Sequence, residues 1–439
     1  MDLARALRID TSSHPIVSVA GSGGKTTALF LLARQLAAHQ PVILTATSHL
    51  GVWQIPMADH LILVKGEADF HLPNQGVMLV TGEIENERTK PVSEAALNWL
   101  YEFSRKKGIP LLIEADGSRQ KPLKAPAEHE PSIPSFTEIV IHVSGLSGLG
   151  KPLNDEHVHR PELFSQCSGL ALGESVSAQA LTRVLTHPQG GLKNVPASAR
   201  RVALLNQADT PELRATGGGM ARDLLSAFDS VLVGSLQQVT FATLERTAGI
   251  ILAAGKSSRY GATKQLLDWN GKPFVRQVTE TALRAGLEPV VVVTGFHHAE
   301  IESALNDLPV SIVHNADYEQ GQSTSVKAGI RTLPKNIGAA VFLLADQPQI
   351  PVEVIRALME AHTHKLTPIV APLVLEERRA NPVLFDRDVF ADLLQLTGDT
   401  GGRAVFHKHP VEYLPWHDDI LLFDVDKPED YEKLKRLQS

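Results

Sequence analysis

The residues with the clearest chemical character lie in one stretch, GIILAAGKSSRYGATKQLL, from Gly249 to Leu267. It opens with a short apolar run that predicts a buried strand, and a glycine-containing loop follows directly. Glycines let the backbone turn its N–H groups toward an anion, while Arg259 and Lys264 add the positive charge that a triphosphate requires. The stretch therefore predicts a strand followed by a phosphate-binding loop. A strand-to-helix turn with solvated basic residues is the plainer alternative.

The same stretch resembles the signature LAAGxSxRMGxxKxLL of the MobA-like nucleotidyltransferases. The matching residues are Leu252, Ala253, Ala254, Gly255, Ser257, Arg259, Gly261, Lys264, Leu266 and Leu267. Tyr260 stands where the family has Met, which is one hydrophobic departure in a long motif. The resemblance implies a Rossmann-like nucleotidyltransferase domain in which this loop binds a nucleoside triphosphate.

A second glycine-rich loop, GSGGKTT at Gly21 to Thr27, lies between a predicted strand and a predicted helix. Val19 occupies the position six before Lys25, so the loop does not match GxxxxGK[ST]; it is similar to the shorter GxxGKTT form of Mur ligases. Lys25 would reach the β- and γ-phosphates and Thr26 would hold Mg²⁺, while the helix N-terminus adds its dipole. A chance glycine turn before a helix is the alternative. The predicted nucleotide-binding residues are Gly21, Gly23, Gly24, Lys25, Thr26 and Thr27.

Two carboxylates follow a later apolar strand in LLIEADGSR, at Glu114 and Asp116. Ligands gather at the carboxyl ends of strands in open α/β sheets, so one of the two is expected to assist the metal, and we assign Asp116. A carboxylate that merely caps the next turn is the alternative for each.

Further on, VALLNQAD resembles the base-reading NKxD of P-loop GTPases, with Gln207 in place of Lys. Asn206 and Asp209 are its candidate nucleotide contacts.

Two other segments of the first half carry ionisable side chains. The proline-rich segment Lys121 to Pro134 forbids a regular helix or central strand, and it is either a substrate contact or a solvated connection. The alternating histidines of DEHVHR, His157 and His159, would share one face of a strand as in some metal sites. With no third ligand identifiable, a solvated or hydrogen-bonded pair is the favoured interpretation.

Together, GSGGKTT, EADGSRQKPLKAPAEHEP and LLNQAD resemble the YqeC-like family over roughly residues 5 to 235. The family is described as accessory proteins of selenium-dependent molybdenum hydroxylases. The resemblance implies an ATP- or GTP-binding accessory role in maturing such an enzyme, with an apo molybdenum hydroxylase as a potential partner. The single cysteine, Cys167, argues against a thiol-pair selenium carrier and leaves transfer through that thiol open.

The second half continues with VHNADYEQGQSTSVKAGI, which places small polar residues before a helix. In the MobA-like family this segment helps to hold the nucleotide, which makes Asn315, Ser323 and Ser325 candidates, and a helix start of this kind suits phosphate or base-edge contacts. An ordinary helix cap would need no ligand.

Two acidic positions complete the predicted second site. Asp346 follows the apolar run of AAVFLLADQPQI, where a carboxylate can ligate Mg²⁺ because hard cations prefer oxygen ligands. By family resemblance its partner is Asp426, just before a KPED that is similar to the family's TPED, and Asp424 is the fallback.

The segment Arg378 to Phe406 resembles the (G/H)PVLF and GDxGAR segments of the MocA branch. Within the family, LAAG rather than LAGG goes with cytidine, so Ala253 and Ala254 favour CTP.

Composition limits the partners and the location. The chain has 439 residues with a net charge of −7, and its basic residues form no runs, so nucleic acid and anionic membranes are not expected partners. The N-terminus lacks a signal-peptide core and nowhere do about 18 apolar residues run uninterrupted. One cysteine fits a reducing compartment. We expect a cytoplasmic protein without membrane segments.

The order of the elements predicts the fold class. Strands rich in Val, Ile and Leu alternate with helix-length stretches in both halves, which is typical of parallel sheets flanked by helices. We therefore predict two tandem three-layer α/β domains with mainly parallel sheets, a P-loop-like domain over 1–240 and a Rossmann-like nucleotidyltransferase domain over 247–439.

The resemblance to the MocA branch of the MobA-like family thus implies a molybdenum cofactor cytidylyltransferase that transfers CMP from CTP to Mo-molybdopterin. Its predicted catalytic residues are Arg259, Lys264 and Asp346, and Mg²⁺ is the predicted cofactor. Three alternatives stay open: a nucleotidyltransferase with another NTP or phosphorylated acceptor, a cofactor-binding chaperone for an apo-hydroxylase, and a nucleotide-dependent switch protein.

Overall fold

The chain forms two compact units, Met1–Leu244 and Glu245–Ser439. The structure is a computed structural model that describes residues 1–64, 73–256, 260, 263–375, 378–425 and 427–436. A strand over Thr240–Ala253 runs through the predicted boundary at residues 241–246. The boundary between the two units along the chain therefore lies within a β-strand and not in a loop. None of the helices in the described ranges is long and apolar enough to cross a membrane.

The first unit alternates strands and helices. Its strands are β1 Ile16–Gly21, β2 Val42–Ala46, β3 His60–Leu63, β4 Val77–Thr81, β5 Ile84–Glu85, β6 Arg88–Thr89, β7 Leu111–Glu114, β8 Leu123–Lys124, β9 Ile139–Gly145, β10 Val158–His159, β11 Arg200–Asn206 and β12 Ser230–Ser235. Its helices are α1 Leu3–Ala6, α2 Lys25–Ala37, α3 Glu94–Lys107, α4 Pro161–Ser168, α5 Ala178–Thr186 and α6 Pro211–Leu224.

The main sheet of the first unit has the strand order β12-β11-β9-β1-β7-β2-β4-β3, and each of these pairings is parallel. Strand β1 lies between β9 and β7 and is buried along its whole length. Alternate residues of a strand point to opposite faces. Val17 and Val19 accordingly pack in the core that contains α1 and α2, while Ile16 packs in the core that contains α3. The unit is a three-layer α/β structure.

Helix α3 shows how local sequence sets the element bounds. The hydroxyl of Ser93 accepts a hydrogen bond from the backbone N–H of Ala96 at 3.2 Å, which caps the first turn. Three basic residues occupy the last turn, and Gly108 ends the helix with φ = 62°. That left-handed conformation is one that glycine adopts without steric cost, so the stop is encoded locally.

The second unit is built from the same kinds of element. Its strands are β13 Thr240–Ala253, β14 Asp268–Trp269, β15 Lys272–Pro273, β16 Val290–Thr294, β17 Ser311–His314, β18 Ile337–Leu344, β19 Ile369–Val374, β20 Arg378–Arg379, β21 Val383–Asp386 and β22 Val411–Trp416. Its helices are α7 Phe274–Ala285, α8 His298–Leu305, α9 Gln322–Thr332, α10 Val352–Lys365, α11 Phe390–Leu393 and α12 Pro428–Arg436.

The sheet of the second unit has the order β17-β16-β13-β18-β21-β19-β22. Only β21 runs antiparallel to its neighbours in this order, and β20 adds a short antiparallel pairing to β19. Ile251 packs in a core with α7 and α10, and Ile250 packs in a core with α9 on the opposite face. The prediction of a mixed α/β protein with mostly parallel sheets is confirmed.

Candidate functional site

The glycine loop of the first unit connects β1 to α2 in a conformation that only glycine adopts without strain. Gly21, Gly23 and Gly24 have φ values of 97°, 74° and 129°. A Cβ atom placed on Gly23 would lie 2.4 Å from the backbone nitrogen of Gly145, at the end of β9. The glycine loop therefore packs closely against the end of β9, and a side chain at Gly23 would clash with that strand.

Lys25 is the first residue of α2, and its ammonium group is buried beside a carboxylate. Its Nζ lies 3.5 Å from Oδ1 of Asp116, and both side chains are almost completely buried. A second lysine shares the same carboxylate, because Nζ of Lys124 donates to Oδ2 of Asp116 at 2.7 Å. Two ammonium groups thus flank one carboxylate directly beside the glycine loop.

The hydroxyl of Thr26 is paired with Glu114 rather than with Asp116. Thr26 Oγ1 donates to Oε2 of Glu114 at 2.7 Å. Burial raises the pKa of Glu114, the neighbouring Asp116 raises it further, and the charge of Lys25 and this hydrogen bond oppose the rise. The two carboxylates therefore have different neighbours: Glu114 contacts the predicted metal ligand Thr26, and Asp116 contacts the lysines.

The oxygen atoms around Thr26 fit a Mg²⁺ ion chemically. A threonine hydroxyl and carboxylates are the hard donors that Mg²⁺ prefers. Oδ1 of Asp116 is buried and accepts no hydrogen bond from the part of the chain that the structure describes. No group of three or more His, Cys, Asp and Glu side chains in those ranges is arranged to hold a metal alone.

The proline-rich segment after Asp116 is a charged and buried part of this site. Nζ of Lys124 also donates to Oε2 of Glu130 at 2.9 Å, and the Arg160 guanidinium donates to both Glu130 oxygens at 2.7 and 3.0 Å. Burial alone would raise the pKa of Glu130, but the hydrogen bond from Arg160 and the charge of Lys124 lower it to about 2. From the sequence alone this segment is either a substrate contact or a solvated connection, and nothing in its composition singles out Lys124.

Two histidines near the loop have lowered pKa values. Burial lowers the pKa of His142, in β9, to about 4, although Asp116 opposes the shift. Burial also lowers the pKa of His159, in β10, to about 4, and Arg160 adds to the shift. Both rings are therefore neutral at pH 7. The sequence signal for His159 was the DEHVHR alternation, whereas His142 lies within an apolar strand and gave none.

Asn206 fixes the glycine loop instead of projecting freely from the end of β11. Its Nδ2 donates to the backbone oxygen of Gly23 at 2.7 Å, and its Oδ1 accepts from the backbone N–H of Leu236 at 2.9 Å. Gln207 lies beside the loop with φ = 63°, and Asp209 is exposed. Recognition of a nucleotide base by Asn206 and Asp209 stays a prediction. In the structure, Asn206 links the glycine loop to the backbone of Leu236.

A cavity of about 650 Å³ opens over the glycine loop. This volume suits a nucleotide-sized ligand. Its lining includes loop residues Gly23 to Thr27, together with Glu114, Glu130, Arg160 and Gln207. Asp116, Asn206 and Asp209 are not among the lining residues. The cavity therefore joins the predicted phosphate loop to the charged segment that follows Asp116.

In the second unit, the signature loop leaves the carboxyl end of β13. Ala253 and Ala254 are buried, Leu252 is half-buried, and Gly255 is exposed. Lys264 is buried in a short 3₁₀ helix over Lys264–Leu266. The predicted contacts Ser257, Arg259 and Gly261 lie outside the described residues.

Two contacts fix the described part of this loop. The side chain of Gln265 donates to the backbone oxygen of Gly255 at 3.1 Å. A Cβ atom on Gly295, just after β16, would lie 2.6 Å from the backbone oxygen of Ala254. The loop is therefore packed tightly against the end of the neighbouring strand, and Gly295 permits that approach.

The predicted nucleotide contacts after β17 form a hydrogen-bonded group. Asn315 Nδ2 donates to Thr324 Oγ1 at 2.8 Å and to Ser325 Oγ at 3.0 Å. Ser323 is buried, and its backbone N–H donates to the oxygen of Gly398 at 3.3 Å. The structure thus brings Asn315 and Ser325 together at the N-terminus of α9, next to the TGDTGG segment.

Asp346 follows β18, and the residue after it connects this edge of the sheet to the far end of the chain. Gln347 Nε2 donates to Oδ1 of Asp424 at 2.6 Å, and Gln349 Nε2 donates to the backbone oxygen of Phe423 at 2.7 Å. These bonds bring residues 423–424 to the loop that carries Asp346, while Asp426 lies outside the described residues. Carboxylates at this edge are oxygen donors that fit Mg²⁺.

A smaller cavity of about 250 Å³ lies at the same edge of this sheet. Its walls include Leu252, Gln322, Asn381, Gly402 and Arg403. It joins the end of β13 to the RRANPVLF and GDTGGR segments, which are separated in sequence. These are the segments that resemble the MocA branch, and the structure places them around one pocket.

The fold defines a protein with two α/β units, each with a glycine-containing loop after a buried strand. The family comparison agrees, since the model of the YqeC protein matches residues 17–162 and that of the MobA-like NTP transferase domain matches residues 249–413. The chain belongs to both families, as a YqeC domain followed by a MobA-like NTP transferase domain.

Individual relatives cover one unit each. The uncharacterized protein YqeC of Escherichia coli is 34% identical over 46% of this chain and 80% of its own length. The purine catabolism protein PucB of Bacillus subtilis is 32% identical over 44% of this chain and 97% of its own length. The molybdenum cofactor cytidylyltransferase of E. coli is 26% identical over 42% of this chain and 92% of its own length.

Proposed function

We propose that the second unit transfers CMP from CTP to Mo-molybdopterin, giving the molybdopterin cytosine dinucleotide cofactor and pyrophosphate. The supporting relative is the molybdenum cofactor cytidylyltransferase, at 26% identity over almost its full length. Ala253 and Ala254, buried at the end of β13, support cytosine as the base by family resemblance.

The observation that carries the proposal is the tether between Gln347 and Asp424. It joins the loop that contains Asp346 to the segment that contains Asp426, 77 residues from Gln347 to Asp424 along the chain. Nucleotidyl transfer needs charge stabilisation at a phosphorus atom, which acidic metal ligands at a shared edge can organise. The tether therefore supports a site for such ligands that combines the middle of the unit with its C-terminal segment.

In the proposed reaction, the terminal phosphate of the pterin attacks the α-phosphorus of CTP in line, and pyrophosphate leaves. No protein nucleophile is assigned. Arg259, Lys264 and the loop amides hold the departing pyrophosphate, and Asn315, Ser323 and Ser325 hold the nucleotide. Asp346 and Asp426 would hold Mg²⁺, which supplies charge neutralisation when bound.

The first unit is proposed to bind ATP or GTP with Mg²⁺, as an accessory step in the maturation of a selenium-dependent molybdenum hydroxylase. Lys25 and the amides of the loop would bind the phosphates. Thr26 would hold the metal with a carboxylate, and its hydrogen bond to Glu114 makes Glu114 a candidate beside Asp116. An apo-hydroxylase is the proposed protein partner.

One experiment tests the reaction, the base and the acceptor together. The full chain is incubated with Mo-molybdopterin, Mg²⁺ and CTP, GTP, UTP or ATP, and the product mass and pyrophosphate are measured. A cytosine dinucleotide formed from CTP alone is expected. Turnover with another nucleotide would change the base assignment, and tight cofactor binding without turnover would indicate a chaperone.

Variants then test the two sites separately. Asp346→Asn should abolish pyrophosphate release with the fold intact, whereas Glu360→Gln, at an exposed position of α10, should leave turnover unchanged. Normal turnover of Asp346→Asn would remove that residue from the mechanism.

Lys25→Ala should abolish ATP or GTP binding at the first unit, as measured by calorimetry, and retained binding would count against that site.

A further inference from the structure

One wall of the first unit's cavity is formed by residues that the proposed nucleotide site does not use. Trp53, Arg88 and Arg119, here called the distal wall, line the same 650 Å³ cavity as the glycine loop. Trp53 follows β2, Arg88 begins β6, and Arg119 follows β7. Three separate segments thus contribute side chains to the lining of one cavity.

The segment that carries Trp53 is fixed to the hairpin that carries Arg88. The backbone N–H of Val52 donates to the oxygen of Glu87 at 3.0 Å, and that of Thr89 donates to the oxygen of Leu50 at 2.9 Å. A ring nitrogen of His49 also lies 2.9 Å from the Thr89 oxygen. Because backbone bonds join the two segments, this part of the distal wall is a defined surface.

Trp53 presents an aromatic surface to the cavity. Its side chain is 64% exposed, an unusual exposure for so large an apolar group. A Cβ atom on Gly51 would lie 2.4 Å from the indole Nε1, so the ring packs directly on the backbone of that glycine. An indole held in this way and left exposed at a cavity wall is suited to stack on a planar ligand.

The distal wall is also cationic. The side chains of Arg88 and Arg119 are exposed, and over the ranges that the structure describes neither guanidinium has a hydrogen-bond or ion-pair partner. Arg160 also lines the cavity, but its guanidinium is already bound to Glu130. Two such guanidiniums and an aromatic ring that line one cavity match a ligand that is both planar and negatively charged.

The strand order separates the distal wall from the end of the cavity that contains Gln207. The glycine loop follows β1, Gln207 follows β11 two strands away on one side, and Trp53 follows β2 two strands away on the other. Four strand spacings of about 4.8 Å correspond to roughly 19 Å across the sheet. A nucleotide that extends from the glycine loop toward Gln207 leaves the side of the cavity that contains Trp53 open.

We propose that the distal wall binds a second ligand, a planar heteroaromatic anion, while a nucleotide occupies the loop Gly21–Thr27. The ring stacks on Trp53, and the negative group pairs with Arg88 and Arg119. This inference rests on the proposed nucleotide site and adds a second substrate class to it. The first unit is then a two-ligand site.

The test uses the full chain saturated with AMP-PNP or GMP-PNP and titrated with pterin-6-carboxylate by calorimetry. Trp53→Leu should weaken binding about tenfold, the loss expected for one stacking contact. Trp53→Phe should retain most of the affinity, and Arg119→Gln should also weaken binding about tenfold. Arg222→Gln, at an exposed position on α6, is the charge control and should have no effect. Any binding to the second unit is the component that none of these variants changes.

Several outcomes would overturn the proposal. Pterin-6-carboxylate affinity that is the same in Trp53→Leu and Arg119→Gln as in the wild type would show that the distal wall is not its site. Displacement of the probe by the nucleotide analogue would show that the cavity holds one ligand only. Equal affinity for citrate would contradict a planar ligand. If neither analogue binds, the nucleotide proposal fails, while the Trp53 variants still decide whether the wall binds the probe.

Discussion

The two predicted nucleotide sites are held together by different contacts. The loop of the first unit is fixed by its own packing, with Gly23 against Gly145, and by buried ion pairs. The second site depends on a side-chain tether from Gln347 to Asp424, which joins segments remote in sequence. Damage to the first site should therefore reduce stability and binding together, whereas damage to the second should reduce activity with the fold preserved.

The largest effect is expected from Lys124→Met in the first unit. The substitution leaves the carboxylates of Asp116 and Glu130 buried with one partner fewer, and breaking a buried ion pair costs about 3–5 kcal/mol. The free energy of unfolding of the first unit should fall by that order. Pulse proteolysis in urea, with peptides from residues 1–244 followed by mass spectrometry, measures it.

The control for this substitution is Lys151→Met, which removes an exposed lysine of the same unit. Its stability should stay within about 0.5 kcal/mol of the wild-type value. Similar stability of the two variants would mean that the buried network contributes little and that the first loop is held by backbone packing alone.

Gly23→Ala should combine a loss of stability with a loss of binding. At φ = 74° an alanine is strained, and its Cβ would lie 2.4 Å from the Gly145 nitrogen, so a cost of about 2–3 kcal/mol is expected. The loop backbone must also move, so ATP or GTP affinity should fall at least about a hundredfold. Calorimetry and urea unfolding measure the two effects. Gly218→Ala, inside α6 with open space around it, should be neutral or stabilising by up to about 1 kcal/mol.

Gln347→Ala tests the tether in the second unit. Loss of the 2.6 Å bond to Asp424 should cost about 1 kcal/mol of stability, because a net hydrogen bond contributes that much. The acidic segments would then be less well aligned, and the Mg²⁺ concentration for half-maximal pyrophosphate release should rise about tenfold. Gln395→Ala, at an exposed position, is the control. An unchanged Mg²⁺ dependence would limit Gln347 to a structural role.

The elements around each loop could be predicted because their signals are local. The apolar run, the glycines and the lysine of Ile16 to Thr27 lie next to one another, and they gave β1, the loop and α2 in the right order. The same holds for β13 and the signature loop. Local patterns did not show that β13 runs through the predicted domain boundary, since the residues at 241–246 alternate weakly between apolar and polar.

Contacts between strands could not be predicted in the same way. Glu114 contacts Thr26 because β7 pairs with β1, with Val19 opposite Glu114. The order of strands in a sheet cannot be deduced from either segment alone. Lys124 was hidden in a proline-rich segment whose composition is that of an exposed loop. Only its partners Asp116 and Glu130 explain its burial.

The smallest effect concerns the buried His142, which gives the first unit a pH dependence. The pKa of its ring is about 4 in the folded protein and about 6.5 in an unfolded chain, so between these values only the unfolded state binds the proton. Stability should therefore be highest above pH 6.5 and fall on acidification, by about 1 kcal/mol from His142 between about pH 7.5 and 5.5. His142→Gln should remove the contribution of His142 to this pH dependence. The contribution of His159, which has the same sign, should remain. Pulse proteolysis of residues 1–244 at the two pH values measures the difference; an equal pH dependence in variant and wild type would show that His142 is not held neutral beside the first loop.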